Sequence, residues 1–127
     1  MTLSCQQIYN KVAKHLLTQN ERSVDGDGCC MYRGNNGLKC AIGCLIKNDY
    51  YDCEKEGNTV DEIRVMLYNS DVIAENSSTK NYNKILLMGD LQDVHDNNEP
   101  EEWKEELKKV AKQHCLKPYK APKRDKI

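Results

Sequence analysis

The sequence predicts a compact α+β domain in which three or four helices pack around a small β-hairpin. Several segments carry apolar residues at helical spacing, and a Gly-Asn-Asn-Gly turn at residues 34–37 separates two short β-competent runs. The 127 residues are enough for one domain to bury a hydrophobic core without stabilising disulfides or metal ions. We place this domain at residues 1–116. Residues 117–127, with five basic residues and two prolines, form a predicted basic flexible tail.

The first helix is predicted over residues 4–20. Ser4 and Gln7 have the spacing of a capping box, and three apolar residues follow at helical spacing: Ile8, Val12 and Leu16. His15 borders this stripe, and we interpret it as a boundary histidine with one polar partner. The Asp-Gly-Asp-Gly run at residues 25–28 lacks the later ligands of an EF-hand, so a plain turn is predicted there.

Residues 29–46 form the stretch around which the chain is organised. Residues 29–33 are β-competent, and residues 38–40 can pair back across the Gly-Asn-Asn-Gly turn to form the hairpin. The apolar run from Cys40 to Ile46 is predicted to be a buried helix. Gly43 inside that helix would cost about 1 kcal/mol relative to alanine, which indicates close packing where a Cβ would not fit.

Three further helices are predicted in the second half of the chain. Thr59 and Glu62 repeat the capping-box spacing before a helix that extends to about residue 69. Residues 72–74 are predicted to be a short strand or a cover of the core, and a third helix spans residues 78–95. Asn98 is the predicted cap of a fourth helix, whose buried stripe is formed by Trp103, Leu107, Val110 and Ala111.

Composition bounds the function and the compartment. The formal net charge of −1 gives no overall field toward nucleic acid or membranes, and only the basic tail could touch nucleic acid. We see no signal peptide and no apolar run of membrane-spanning length. The seven cysteines are an odd number, which argues against a closed disulfide framework and indicates free thiols in a reducing compartment. We therefore expect a cytosolic protein; the sequence leaves its oligomeric state open.

The pattern C-x-Y-R-G-x-x-G-L-K-C-A-I-G-C-L-I at residues 30–46 resembles the signature of a family of small uncharacterised proteins of tailed bacteriophages and prophages. Those proteins share an N-terminal helix before the signature. They also share a later Leu-Gln-x-x-His-Asp element, here residues 91–96, before a helix that bears a tryptophan. The resemblance covers most of the chain to about Cys115. It implies a viral origin and a place in the host cytoplasm, and it brings no established activity.

The cysteines raise two chemical alternatives. Cys40 and Cys44 would share one face of a helix and could supply two zinc ligands, although their spacing is not that of a known zinc knuckle. Cys40 could also be a nucleophile at a helix N-terminus with His95 as its base. A small cysteine- or zinc-dependent enzyme that uses Cys40, Cys44 and His95 is therefore the alternative. Free buried thiols without a metal or other cofactor are the main prediction.

Binding is the leading prediction. Tyr32 and Arg33 beside two glycines offer an aromatic ring, a cation and exposed amides, a set that suits phosphate, carboxylate or a small nucleotide. The other interpretation is that Arg33 pairs with Asp96 or Asp93 and fixes the hairpin to the third helix. The predicted binding residues are Tyr32, Arg33, Gly34, Gly37, Lys39, His95 and Asp96.

We therefore predict a phage accessory protein that acts in the host cytoplasm by binding and not by catalysis. The expected partner is a host protein, such as a component of host defence, or a small nucleotide-like signal. This expectation depends on the resemblance, on the size of the chain and on the weakness of the catalytic constellations. It is an inference from likeness and not from a site.

Overall fold

The computed structural model describes residues 2–74 and 79–120 and shows a helical protein. Its α-helices are α1 (Cys5–Gln19), α2 (Arg64–Asn69), α3 (Thr79–Asn97) and α4 (Pro100–Gln113), joined by several single 3₁₀ turns. The described residues contain no β-strand, only two isolated antiparallel bridges, Val24 with Cys30 and Arg33 with Lys39. The prediction of an α+β fold with a β-hairpin is therefore wrong.

The predicted hairpin is reduced to one bridge, because the N–H of Gly34 donates to the carbonyl of Leu38 and the N–H of Cys40 to that of Tyr32, but the pairing goes no further. The N–H groups of Arg33 and Lys39 point away from each other in this bridge and donate to side chains of other segments. The backbone N–H groups of Tyr32 and Arg33 donate to the two carboxylate oxygens of Glu56, over 2.8 and 3.0 Å. On the returning side, the N–H of Lys39 donates to Oε1 of Gln19 on α1, over 3.0 Å. Only the single bridge around the 3₁₀ turn remains of the predicted ladder.

Helices α1, α3 and α4 pack against one another and enclose the main core. Helix α1 begins as predicted, since the hydroxyl of Ser4 accepts the N–H of Gln7 and the side chain of Gln7 accepts the N–H of Ser4. Tyr9 is buried and donates its hydroxyl to the carbonyl of Leu107, over 2.9 Å, which ties α1 to α4. The predicted stripe of α4 is buried: Trp103, Leu107, Val110 and Ala111.

The predicted cap of α4 is off by one residue. Glu99 and not Asn98 caps the helix, in a capping box with Glu102. The carbonyl of Asn98 instead accepts hydrogen bonds from the Arg22 guanidinium and from the indole N–H of Trp103. Asn98 thus fixes the entry to α4 through its backbone.

The segment from Cys40 to Ile46 is buried but is not the predicted helix. It forms a turn and a short 3₁₀ helix, Gly43–Leu45. The packing argument for Gly43 holds, because a Cβ there would lie 1.8 Å from the carbonyl oxygen of Tyr32. The segment is too short to form a helix alone, and the N–H of Ile42 donates instead to Oε1 of Gln92 on α3, over 3.2 Å.

The remaining segments cover the core. Thr59 and Glu62 make the predicted reciprocal bonds, and the chain then continues through the 3₁₀ turn Asp61–Ile63 into α2. Val72 and Ile73 are buried without forming a strand. Helix α3 occupies the predicted position, although residue 78 lies outside the described residues.

The beginning of the predicted tail lies along α1. The N–H of Lys117 donates to Gln6, and the N–H of Tyr119 donates to the hydroxyl of Tyr9. Residues 121–127 of that predicted tail lie outside the described part of the chain. Among the helices of the described residues, none combines the length and the apolar character that crossing a bilayer requires.

Candidate functional site

A cleft of about 580 Å³ lies between one face of α3 and the loops at residues 30–32 and 56–61. Its lining includes four large apolar side chains: Met31, Val60, Ile85 and Leu86. It also includes five carboxylates: Glu56, Asp61, Asp90, Asp93 and Asp96. No lysine or arginine is among the described residues that line it. We call this feature the acidic cleft.

The carboxylates of the acidic cleft differ in how far they are neutralised. Asp61 pairs with Arg64 over 2.7 Å, and Asp90 is hydrogen-bonded to His114 over 2.6 Å. Asp93 is exposed and accepts a hydrogen bond from the neutral amide of Asn97, one turn along α3. Within the described chain, no cation lies within ion-pair distance of Asp93. Asp93 is therefore the carboxylate most available to a cation from outside.

A buried hydrogen-bond network forms the floor of the acidic cleft. His95 is fully buried, and its Nε2 accepts the backbone N–H of Ser23 over 2.9 Å. Since a backbone N–H can only donate, Nε2 carries no proton, and the ring proton lies on Nδ1. Nδ1 then donates to Oδ1 of Asp96 over 2.7 Å, an oxygen that also accepts from Gln92. The imidazole stacks on Trp103, with ring centroids 5.5 Å apart.

This network contains the only group of three metal-type ligands among the residues that the structure describes. One ligand atom each from Cys30, His95 and Asp96 lie within 4.8 Å of one another. Both nitrogens of His95 are already used, however. If Nδ1 bound a metal, the proton would have to move to Nε2, where it would face the N–H of Ser23. The hydrogen-bond roles therefore fit a structural network and do not fit a metal centre.

The thiols of Cys30, Cys40 and Cys44 are held in the protonated form. Burial, followed by the negative charge of Asp96, raises the pKa of Cys30 to about 11. Burial likewise raises the pKa of Cys44 to about 12 and that of Cys40 further still. A protonated thiol is a poor nucleophile. The geometry does not assemble the predicted alternative site: among the described residues, the group of three metal-type ligands that includes His95 contains Cys30 and neither Cys40 nor Cys44.

The guanidinium of Arg33 contacts two other segments of the fold. Its Nη2 donates to the carbonyl of Ile46 over 2.6 Å, and its guanidinium lies 4.6 Å from the centre of the Tyr51 ring. The hydroxyl of Tyr51 donates in turn to Glu56. The predicted pairing of Arg33 with Asp96 or Asp93 is wrong, because the contacts of the guanidinium are the carbonyl of Ile46 and the ring of Tyr51.

The other predicted binding residues are divided among different places. Tyr32 and Asp96 line the acidic cleft, with the Tyr32 hydroxyl bound to the carbonyl of Asn58 over 2.5 Å. His95 lies beneath the cleft. The backbone N–H of Gly34 donates to Leu38, and a Cβ on Gly34 would meet Ser23 and Val24 at 2.7–2.8 Å. Gly34 is therefore a packing position.

Gly37 and Lys39 belong to a second surface, which we call the lysine groove. It measures about 560 Å³ and is lined by Lys11, Lys14, His15, Thr18, Gln19, Gly37, Lys39 and Cys44. No carboxylate is among these described lining residues. The carbonyl of Lys39 accepts from Gln19 and is hydrogen-bonded to His15, each over 2.8 Å, so Lys39 is fixed beside α1. His15 thus has the single polar partner that was predicted.

Sequence reasoning missed two side chains, those of Glu56 and Gln92, that bind backbone amides of the loops around the site. Glu56 lies in a polar, irregular stretch with no pattern that predicts its capture of two backbone amides. Gln92 lies within the Leu-Gln-x-x-His-Asp element but received no role. Ser23 likewise gave no signal, since its contribution is a backbone N–H.

No family model, curated protein or solved structure matches this chain. What the protein does must therefore be inferred from the geometry of its two surfaces.

Proposed function

We propose that the chain is a non-enzymatic accessory protein of a tailed bacteriophage that binds a protein of the infected host in the host cytoplasm. The acidic cleft is the surface through which it would bind. The observation that supports this proposal is the combination, in one cleft, of several carboxylates with exposed apolar side chains on α3, and with no lysine or arginine among the described lining residues. The phage origin depends on the resemblance of residues 30–46.

The chemistry of the acidic cleft favours a cationic protein segment over a nucleotide. Phosphates would be repelled by the carboxylates, whereas lysine or arginine side chains would be attracted to Asp93 and its neighbours. Leu86 is 45% exposed and lines the cleft, and Tyr82, one turn earlier on α3, is 58% exposed. Aromatic and aliphatic side chains of this kind are typical anchors at protein interfaces.

The same geometry argues against catalysis at this site. The thiol of Cys30 is held protonated, and both nitrogens of His95 are used in hydrogen bonds within the fold. A nucleophile and a general base are both needed for cysteine chemistry, and neither is free here. The cluster at the cleft floor serves to hold the loop at residue 23 and α3 together.

Affinity capture from infected cells tests the proposal. The tagged wild-type chain is compared with Asp93→Lys, which reverses the charge of the most available carboxylate. Asp49→Lys is the matched control, because Asp49 is exposed and lies outside the acidic cleft. We expect a specific host protein whose recovery falls at least about tenfold with Asp93→Lys and is retained with Asp49→Lys. Equal recovery with all three baits would refute the cleft as the binding surface.

The lysine groove favours a second candidate function, the binding of a small anionic ligand such as a nucleotide-like signal. Three lysines line the groove, no carboxylate is among its described lining residues, and Lys39 is held in place by its backbone. Calorimetric titration with ATP as the probe tests this candidate. We expect binding that weakens with added salt and falls about tenfold in Lys14→Gln. No binding heat at millimolar ATP would eliminate a nucleotide triphosphate as the ligand.

A further inference from the structure

Gly89 lies near the middle of α3, on the face that lines the acidic cleft. A glycine inside a helix lowers the folding equilibrium constant by about fivefold relative to alanine. Gly89 therefore makes the fold less stable than an alanine would, which calls for a structural reason for the missing side chain.

The fold itself supplies no reason for Gly89. A Cβ built on Gly89 would meet no atom of the described residues within 4 Å, and its backbone is not in the left-handed region. Gly43 and Gly34 are the contrasting cases, because a Cβ at either would collide with the described chain. The space beside Gly89 is therefore open toward the cleft and not filled from within.

We infer that Gly89 is the point of close approach for a basic amphipathic helix of the partner, which crosses α3 in the acidic cleft. This inference rests on the proposed function and names the kind of segment that the cleft accepts. Two helices pack with their axes 8–10 Å apart, and the smaller distances require small residues at the crossing. A glycine at the centre of the contact provides such a crossing point.

The cleft is suited to a helix better than to an extended peptide. An added strand needs free backbone N–H and carbonyl groups along an edge. In the loop that faces α3, the amides of Tyr32 and Arg33 already donate to Glu56, and Cys30 is bridged to Val24. A helix satisfies its own backbone and needs only side-chain contacts, which α3 supplies.

The side chains on either side of Gly89 set the pattern of the partner helix. Leu86, with Ile85, lies toward the start of α3, whereas Asp93 lies toward its end. Seven residues of helix separate Leu86 from Asp93, a rise of roughly 10 Å. The matching partner carries an apolar side chain on one side of the crossing and a lysine or arginine about two turns away on the other.

A defined peptide tests the inference separately from the proposed function. The probe is an amphipathic helix of roughly 18 residues made of leucine and lysine, titrated into ¹⁵N-labelled protein. Its control is the same peptide with glutamate in place of lysine. The protein variants are Gly89→Ala, Gly89→Leu and Gly26→Leu, the last a matched control at an exposed glycine where a Cβ also meets nothing.

We expect the lysine peptide to shift the amide resonances of residues 85–97 and the glutamate peptide to leave them unchanged. Gly89→Ala should raise the melting temperature by about 3 °C and weaken peptide binding two- to fivefold. Gly89→Leu should weaken binding at least about tenfold, while Gly26→Leu binds as the wild type does.

Peptide binding that is equal in wild type and Gly89→Leu, or no shifts at residues 85–97 in the wild type, would overturn the inference. The proposed function would survive either result if Asp93→Lys still abolished the capture of a host protein. If capture is insensitive to Asp93→Lys, the proposed function fails whatever the peptide shows.

Discussion

Replacing His95 by alanine tests whether the Cys30, His95 and Asp96 cluster is structural. The change leaves the buried N–H of Ser23 without its acceptor, which costs about 1–3 kcal/mol. It also removes a ring stacked on Trp103, worth about 0.5–1.5 kcal/mol, and leaves a cavity. Asp96 loses the hydrogen bond from His95 but keeps the one from Gln92 and is partly exposed, so this change contributes little to the loss of stability. We expect a total loss of about 3 kcal/mol in the free energy of unfolding.

Urea denaturation measures this loss. A change of about 3 kcal/mol moves the midpoint down by about 1–2 M at an unchanged slope. His95→Gln should recover part of the loss, because the amide oxygen can accept the N–H of Ser23. His15→Ala is the matched control and should cost less than about 1 kcal/mol, since the carbonyl of Lys39 still accepts from Gln19. If His95→Ala is as stable as His15→Ala, the structural account of the cluster is wrong.

Three further predictions follow from the interior of the protein. Gly43→Ala should lower the free energy of unfolding by more than about 3 kcal/mol or prevent folding, because its Cβ would lie 1.8 Å from the backbone oxygen of Tyr32. Thermal denaturation of this variant and of the control Gly26→Ala checks the prediction. Alkylation of Cys30, followed by mass spectrometry, should be about a hundredfold slower at pH 8 than that of an ordinary thiol. Its rate should keep rising up to pH about 11, because the raised pKa keeps the thiol protonated; a plateau near pH 9 would contradict this. Purified protein should contain far less than one zinc per chain and melt at the same temperature with and without EDTA, since His95 has no nitrogen free for a metal; one tightly bound zinc would disprove this.

The helices could be predicted from the sequence where a local signal was strong. In α1, a capping box and an apolar stripe agree, and both are local properties of residues 4–20. The same holds for the stripe of α4 around Trp103. The predicted N-cap of α4 is one residue too early, because the side chains of Asn98 and Glu99 can both cap a helix. The choice depends on Arg22, 76 residues away in the chain, which binds the Asn98 carbonyl.

The hairpin and the site could not be predicted, because long-range contacts decide both. The residues around the Gly-Asn-Asn-Gly turn have the pattern of a hairpin, but the pairing ends after one bridge, where the N–H of Tyr32 donates to Glu56, 24 residues away. His95 and Asp96 were identified as a pair, yet their partner is Cys30 and not Cys40. No periodic pattern shows which of seven cysteines will lie beside a given histidine.

Site-specific photo-crosslinking from the acidic cleft tests the central proposal most directly. A photoreactive phenylalanine analogue replaces Leu86 in one experiment and Lys14 of the lysine groove in the other, and both chains are expressed in infected cells and irradiated. We predict that position 86 crosslinks one host protein, through a helical segment rich in lysine or arginine, and that position 14 does not. Crosslinking of that protein from position 14 alone, or a crosslinked segment that is acidic, would contradict the account.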